Sequence, residues 1–255
     1  MRGFLQALSF LTILPLGQWL PPDEKGLVRS MAFYPLAGLV IGGLSALGFY
    51  LLSFVLPKPL ALWLTIGLLV FLTGGLHLDG FADTMDGLAC RGTKEKILEV
   101  MRDSRVGAFG VIGLILLIGA KYLALNQISA PVIPYSLILM TVVGRSTMVL
   151  VCFRSAYARS TGGLAKPFTE NLGRREMALS LASAFGIALL LMGMRGMVLF
   201  FAVGLFGIGY RHFFIRKLGG VTGDILGSAN ELSELLWLLL LVILEKIGNL
   251  LLIGP

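Results

Sequence analysis

Three aspartates, Asp79, Asp83 and Asp86, fall within eight residues in the stretch His77-Leu78-Asp79-Gly80-Phe81-Ala82-Asp83-Thr84-Met85-Asp86-Gly87, and no Lys or Arg lies between Lys58 and Arg91. On a helix they stand at i, i+4 and i+7, so all three project from one stripe. Like charges this close favour neutralisation unless a multivalent cation sits among them. Carboxylates without companion Cys or His sets select hard cations, and Mg²⁺ that keeps open coordination positions suits phosphate chemistry. Zinc is not expected. Gly80 and Gly87 each follow an aspartate, so a small-residue stripe runs beside the acidic one, where a ligand could approach the backbone closely. A merely solvated acidic helix end would carry interspersed Lys or Arg and would have no use for glycines at that spacing.

Two further polar sets follow. The first holds Arg91, Lys94, Lys96, Arg102, Asp103, Ser104 and Arg105. Basic residues just after a carboxylate cluster suit an anionic ligand bridged by a metal. Lys94 and Lys96 alternate with Glu95 and Glu99 as on an amphipathic surface helix, so Arg91, Arg105 and Asp103 are the functional candidates. The second set is Gly219-Gly220-Val221-Thr222-Gly223-Asp224-Ile225-Leu226-Gly227-Ser228-Ala229-Asn230-Glu231. Its glycines beside Thr222 and Ser228 could bring backbone N–H groups to a phosphate. Asp224 and Glu231, seven apart, share a face if helical; Asp224 is a candidate metal ligand, and Asn230 and Glu231 are candidate substrate contacts. This is neither a P-loop nor a dinucleotide fingerprint, since no Gly-Lys-Ser/Thr follows and no strand precedes it. His77, two residues before Asp79, is a candidate base or orienting group.

The elements that must position these residues are membrane helices. A 56% hydrophobic, 14% charged chain lies outside the range of soluble domains. The expected fold is all-α, one polytopic membrane helix bundle over residues 1–255. Spans are expected at about 31–56, 60–76, 106–125, 135–153, 177–192, 197–210 and 235–252, seven in all. The opening apolar run lacks an Ala-x-Ala-like cleavage site and is followed by Pro15, which favours an uncleaved interfacial or re-entrant helix. Sixteen Lys and Arg fall on one side of this topology and three, Lys58, Arg195 and Lys246, on the other. That bias predicts a cytoplasmic amino terminus and collects all three polar sets on the cytoplasmic face of a prokaryotic inner membrane. It also accounts for the net charge of +7 without a nucleic acid partner. Lys121 and Arg145 remain inside spans. Lys121 is open to snorkelling toward an interface, whereas Arg145, deeper, is expected to be ion-paired or functional. A transporter using these cations and the aspartates is the rival class, weakened by carboxylates at one face rather than the midplane and by the lack of an obvious inverted repeat.

The His77–Gly87 stretch, Met101-Arg102-Asp103-Ser104-Arg105-Val106-Gly107-Ala108-Phe109-Gly110 and the Gly219–Gly227 stretch together resemble the cobalamin synthase family, the adenosylcobinamide-GDP ribazoletransferases. Leu8-Ser9-Phe10-Leu11-Thr12 with Leu14-Pro15, and Tyr157-Ala158-Arg159, are similar to that family too, so the likeness covers nearly the whole chain. It implies an Mg²⁺-dependent transferase joining α-ribazole or its 5′-phosphate to adenosylcobinamide-GDP, with release of GMP. On that basis the metal ligands are drawn from Asp79, Asp83, Asp86, Asp103 and Asp224, the catalytic groups from Asp83, Asp86, Asp103 and His77, and the cationic substrate contacts from Arg91, Arg105, Arg145, Arg159 and Lys166. More distantly, Asp83-x-x-Asp86-Gly87-x-x-Cys90-Arg91 is similar to the first half of the CDP-alcohol phosphotransferase motif, with Cys90 where that motif has Ala; the second half is not reproduced. A phospholipid-type member of that family is therefore a second enzyme alternative. A homodimer is one option for its assembly.

Overall fold

The computed structural model describes residues 2–16 and 23–252, with side chains up to 247. Met1 and Gly17, the ends of the opening run, and the last three residues lie outside that description. Every named element is helical: α1 (Arg2–Leu11), α2 (Glu24–Ser30), α3 (Tyr34–Leu52), α4 (Lys58–Thr73), α5 (Leu76–Ala89), α6 (Lys94–Val100), α7 (Ala108–Gln127), α8 (Ile133–Cys152), α9 (Lys166–Asn171), α10 (Arg174–Leu218) and α11 (Gly223–Leu252). Among the described residues five helical segments are long and apolar enough to cross a membrane, or six if the bent pair α4 and α5 is counted as one span.

The expected fifth and sixth spans are a single element, α10, but it is not straight. Gly193 has φ 57° and ψ −137° inside it, a conformation that glycine adopts without the usual Cβ penalty. The Phe185 ring lies 5.7 Å from that of Phe200, although fifteen helical residues would separate them by more than 20 Å. The chain therefore doubles back, and α10 is two antiparallel arms.

The central helix is α8, buried along nearly its whole length. α3 lies tightly against it because Gly38 leaves room for the Thr141 backbone, and the Thr141 hydroxyl donates to the Gly38 carbonyl at 2.8 Å. Close backbone approach through small residues is how helices associate where no hydrophobic driving force separates them from lipid. α7, α10 and α11 complete the bundle.

The bundle has two distinct ends. At one, the Lys58 ammonium donates to the carbonyls of Asn126 and Ile128 at 2.8 and 2.9 Å, and Ser129 bonds Glu245. At the other lie the amino termini of α7 and α11, helix α5 and the 154–173 loop. The turn between α4 and α5 is made by Gly74 (φ 61°) and Gly75 (φ 70°), two left-handed residues in succession that bend the chain by 92°. That bend turns α5 off the α4 axis, so that it packs against the first turns of α7 and α11 and brings its carboxylates to them.

Candidate active site

α5 forms as the aspartate spacing requires, with Asp79, Asp83 and Asp86 on one helix. Its companion is α11. They cross at Gly80, where an added Cβ would stand 2.9 Å from Asp224 Cα, and at Gly227, where one would stand 3.2 Å from His77 Cα. Side chains larger than hydrogen at these positions would force the helices apart. The crossing brings Asp224, from the first turn of α11, to the acidic stripe. Asp83 has Asp224, Asp79 and Asp86 as neighbouring like charges, with Arg159 as the opposing cation.

Arg159 is delivered by the loop after α8. That loop is pinned to the segment before α11: the Ala158 N–H donates to the Val221 carbonyl at 3.0 Å, and the Val221 N–H to the Ala156 carbonyl at 2.9 Å. The Arg159 guanidinium then donates to Asp224 Oδ2 at 2.6 Å and to the Met101 carbonyl at 3.2 Å, while the Thr222 hydroxyl donates to the same Asp224 oxygen at 3.2 Å. Charge-assisted bonds of this kind are short and orienting.

The three aspartates of the stripe have different surroundings. Asp79 is exposed and lines a cavity of about 310 Å³ together with His77, Arg159 and Asp224. Asp86 reaches the other way: its two oxygens accept the Gly107 N–H at 2.7 Å and the Gly110 N–H at 2.8 Å. It thus satisfies orphan donors at the start of α7, where a negative charge is also favoured by the helix dipole. His77 is 2% exposed, and neither ring nitrogen has a hydrogen-bond partner.

Other sequence candidates are placed elsewhere. Asp103 and Arg105 form an exposed bidentate pair at 3.0 and 2.8 Å. The hydrogen bonds from Arg105 hold the Asp103 carboxyl down at about 2, and the same pairing raises the guanidinium. Neither bonds to the α5 carboxylates. Arg91 is exposed. Lys166 stands 3.8 Å from Glu170 on the surface. Arg145, Asn230 and Glu231, expected as substrate contacts, lie in a buried polar cluster beneath the cavity with their side chains engaged by one another. The Lys121 ammonium bonds Glu231 and Glu234 at 2.6 Å each, Arg145 pairs with Glu234, and the Asn230 amide donates to both glutamates at 3.2 and 3.0 Å. Lys121 does not snorkel, because it has two buried anions within reach. Glu234 went unremarked in the sequence; the available signal was the balance of two cations against two anions within apolar helices.

As the side chains stand, no three His, Cys, Asp or Glu among the described residues are close enough to hold a metal ion. The donor chemistry nevertheless fits a hard divalent cation. Asp83 is surrounded by the like charges of Asp224, Asp79 and Asp86 with Arg159 as the opposing cation, a local excess of negative charge that a cation would correct.

Fold and site define a multi-pass helical membrane protein with an anionic, arginine-braced cleft across one end of its bundle. The chain belongs to the cobalamin-5-phosphate synthase family, whose model matches residues 3–242. A protein of Geotalea daltonii named adenosylcobinamide-GDP ribazoletransferase is 40% identical over 95% of this chain and 97% of its own length. A protein of the same name from Alkaliphilus metalliredigens is 37% identical over 97% and 98%, and one from Acetivibrio thermocellus is 35% identical over 94% and 97%. No solved structure matches the chain.

Proposed function

We infer that the chain transfers the cobinamide-phosphate moiety of adenosylcobinamide-GDP to α-ribazole or its 5′-phosphate, closing the nucleotide loop of a cobalamin and releasing GMP. Family membership supports this reaction. The observation that supports its location is the crossing of α5 and α11 at Gly80, which puts Asp79 and Asp83 beside the Asp224–Arg159 pair at the mouth of a cavity.

A hydroxyl of the ribazole attacks the phosphorus that carries the cobinamide arm. The P–O bond to the GMP phosphate breaks as the new P–O bond forms, and the hydroxyl proton is lost to a base. Asp79, Asp83 and Asp224 would hold Mg²⁺, whereas both oxygens of Asp86 are engaged by the Gly107 and Gly110 N–H groups. The ion would neutralise charge on the diphosphate oxygens and the departing phosphate. Arg159 supplies a fixed cation at the same anionic centre. His77 packs against the cavity with both ring nitrogens buried and unpartnered, so it shapes the wall beside the attacking hydroxyl.

Sixteen basic residues against three support a site that faces the cytoplasm. With α3, α4, α7, α8, the two arms of α10, and α11 each crossing once, seven passes carry the chain from a cytoplasmic amino terminus to the opposite side.

The test is GMP release by purified protein supplied with adenosylcobinamide-GDP and α-ribazole 5′-phosphate. Mg²⁺ is expected to be required and Asp83→Asn to abolish turnover. Activity that survives excess chelator or Asp83→Asn counts against the metal scheme. Uptake of either substrate by sealed vesicles without GMP release would favour a transporter.

A further inference from the structure

The cavity beside the carboxylates has two unlike halves. His77, Asp79, Arg159 and Asp224 form one. The other is apolar, built from Phe10, Met31, Tyr34, Met148, Leu164 and Phe168. These six come from α1, the turn into α3, α8, and the loop and short helix α9, so four separate regions converge on one wall. The Phe10 ring is stacked on Tyr34 at 6.4 Å with 17° between planes, and meets the Phe168 ring at 5.5 Å. Tyr34 and Phe168 are 1% and 3% exposed and have little room to move. At the cavity lining Leu164 is 80% exposed, although it sits in the loop that carries Arg159 and not on a lipid-length helix.

We propose that this aromatic wall is the subsite for the base of the acceptor nucleoside, a planar, apolar, two-ring heteroaromatic. The proposal rests on the transferase reading above and says which substrate occupies which half of the cavity. A cavity of about 310 Å³ is at the small end of ligand sites, enough for one nucleoside and not for a corrin. Phe10, half-buried and backed by the rigid rings of Tyr34 and Phe168, offers a flat base its preferred contact at low entropic cost. Ribazole carries a dimethyl-substituted benzimidazole, which is mostly hydrocarbon at its edge. Guanine, the other base in the reaction, presents a carbonyl, a ring N–H and an amino group, and each is penalised if left unpaired in an apolar pocket. None of the six wall residues carries a side-chain amide or carboxylate, and Asp224 is already engaged by Arg159 and Thr222. With the base on the wall, the ribose points toward His77 and Asp79, where the attacking hydroxyl is needed.

The experiment measures steady-state kinetics of Phe10→Ala and Phe168→Leu with each substrate varied in turn. The KM for α-ribazole 5′-phosphate is expected to rise roughly 5- to 150-fold, the equivalent of about 1–3 kcal/mol for one lost base stack. The KM for adenosylcobinamide-GDP is expected to stay within twofold. Calorimetric titration of α-ribazole into detergent-solubilised Asp83→Asn protein, with and without Phe10→Ala, reads the same contact without turnover. A rise in the donor's KM alone would assign the wall to guanine and overturn the proposal, as would no change in either. Should Phe10→Ala fail to fold, Phe168→Leu, which keeps most of the buried volume, carries the test. Wild-type protein that releases no GMP yet binds α-ribazole in a Phe10-dependent manner would refute the reaction and keep the subsite; the converse would do the reverse.

Discussion

Replacing Glu234 by Gln should destabilise the protein more than any change in the acidic stripe. Glu234 is 1% exposed and stands between Lys121, 2.6 Å away, and the Arg145 guanidinium, with Glu231 completing two cations against two anions. Glu234→Gln removes one anion and leaves two buried cations sharing Glu231. Breaking one partner of a buried pair costs about 3–5 kcal/mol, because the stranded charge loses its compensation without regaining water. At roughly 2–4 °C per kcal/mol for a chain of this size, the thermal midpoint should fall by about 6–20 °C, read by circular dichroism in detergent. The double variant Arg145→Met with Glu234→Leu removes one charge of each sign and keeps the Lys121–Glu231 pair. It should recover most of the loss, since well-packed apolar groups replace buried ion pairs at little cost. A Glu234→Gln protein as stable as wild type, or a double variant that loses at least the sum of the singles, would refute charge balance as the reason for this cluster.

Asp86→Ala should leave the Gly107 and Gly110 N–H groups without their acceptor; a loss of about 1–2 kcal/mol is expected for a missing helix cap, with faster amide exchange confined to the first turn of α7. Unchanged exchange there would mean that the carboxylate is not holding that turn. The Asp103 carboxyl, held at about 2 by Arg105, lies below its unfolded value near 3.9. Its contribution to stability is therefore fully present above about pH 4 and is lost as pH falls through about 2. In a carbon-detected NMR titration the Asp103 midpoint should return to the ordinary aspartate range in Arg105→Ala, and a midpoint that stayed near 2 would exclude Arg105 as the cause.

Much of this protein is legible in one dimension. Apolar runs of bilayer length determine that it is a helical membrane protein, because lipid offers backbone groups no partners other than one another. The 3.6-residue period makes Asp79, Asp83 and Asp86 neighbours, and the whole-chain family motifs carry over because they are contiguous. Tertiary structure alone decided the rest. Two left-handed glycines, Gly74 and Gly75, turn α5 onto α7 and α11, and Gly193 folds one long helix into two arms; a periodicity count cannot say which way a glycine will turn. Asp86 meets the start of α7 through the Gly107 and Gly110 N–H groups, and Asp224 comes to the acidic stripe because Gly80 lets α5 and α11 meet at backbone distance, a contact that joins residues 144 positions apart in the chain. In the sequence Lys121 and Arg145 both stand inside apolar runs, where Lys121 is open to snorkelling and Arg145 is expected to be ion-paired or functional. Which anion each would meet, and that both would meet Glu234, depended on how α7, α8 and α11 are rotated against one another. Charge type and spacing are properties of the chain, whereas the partner that satisfies a buried charge is a property of packing.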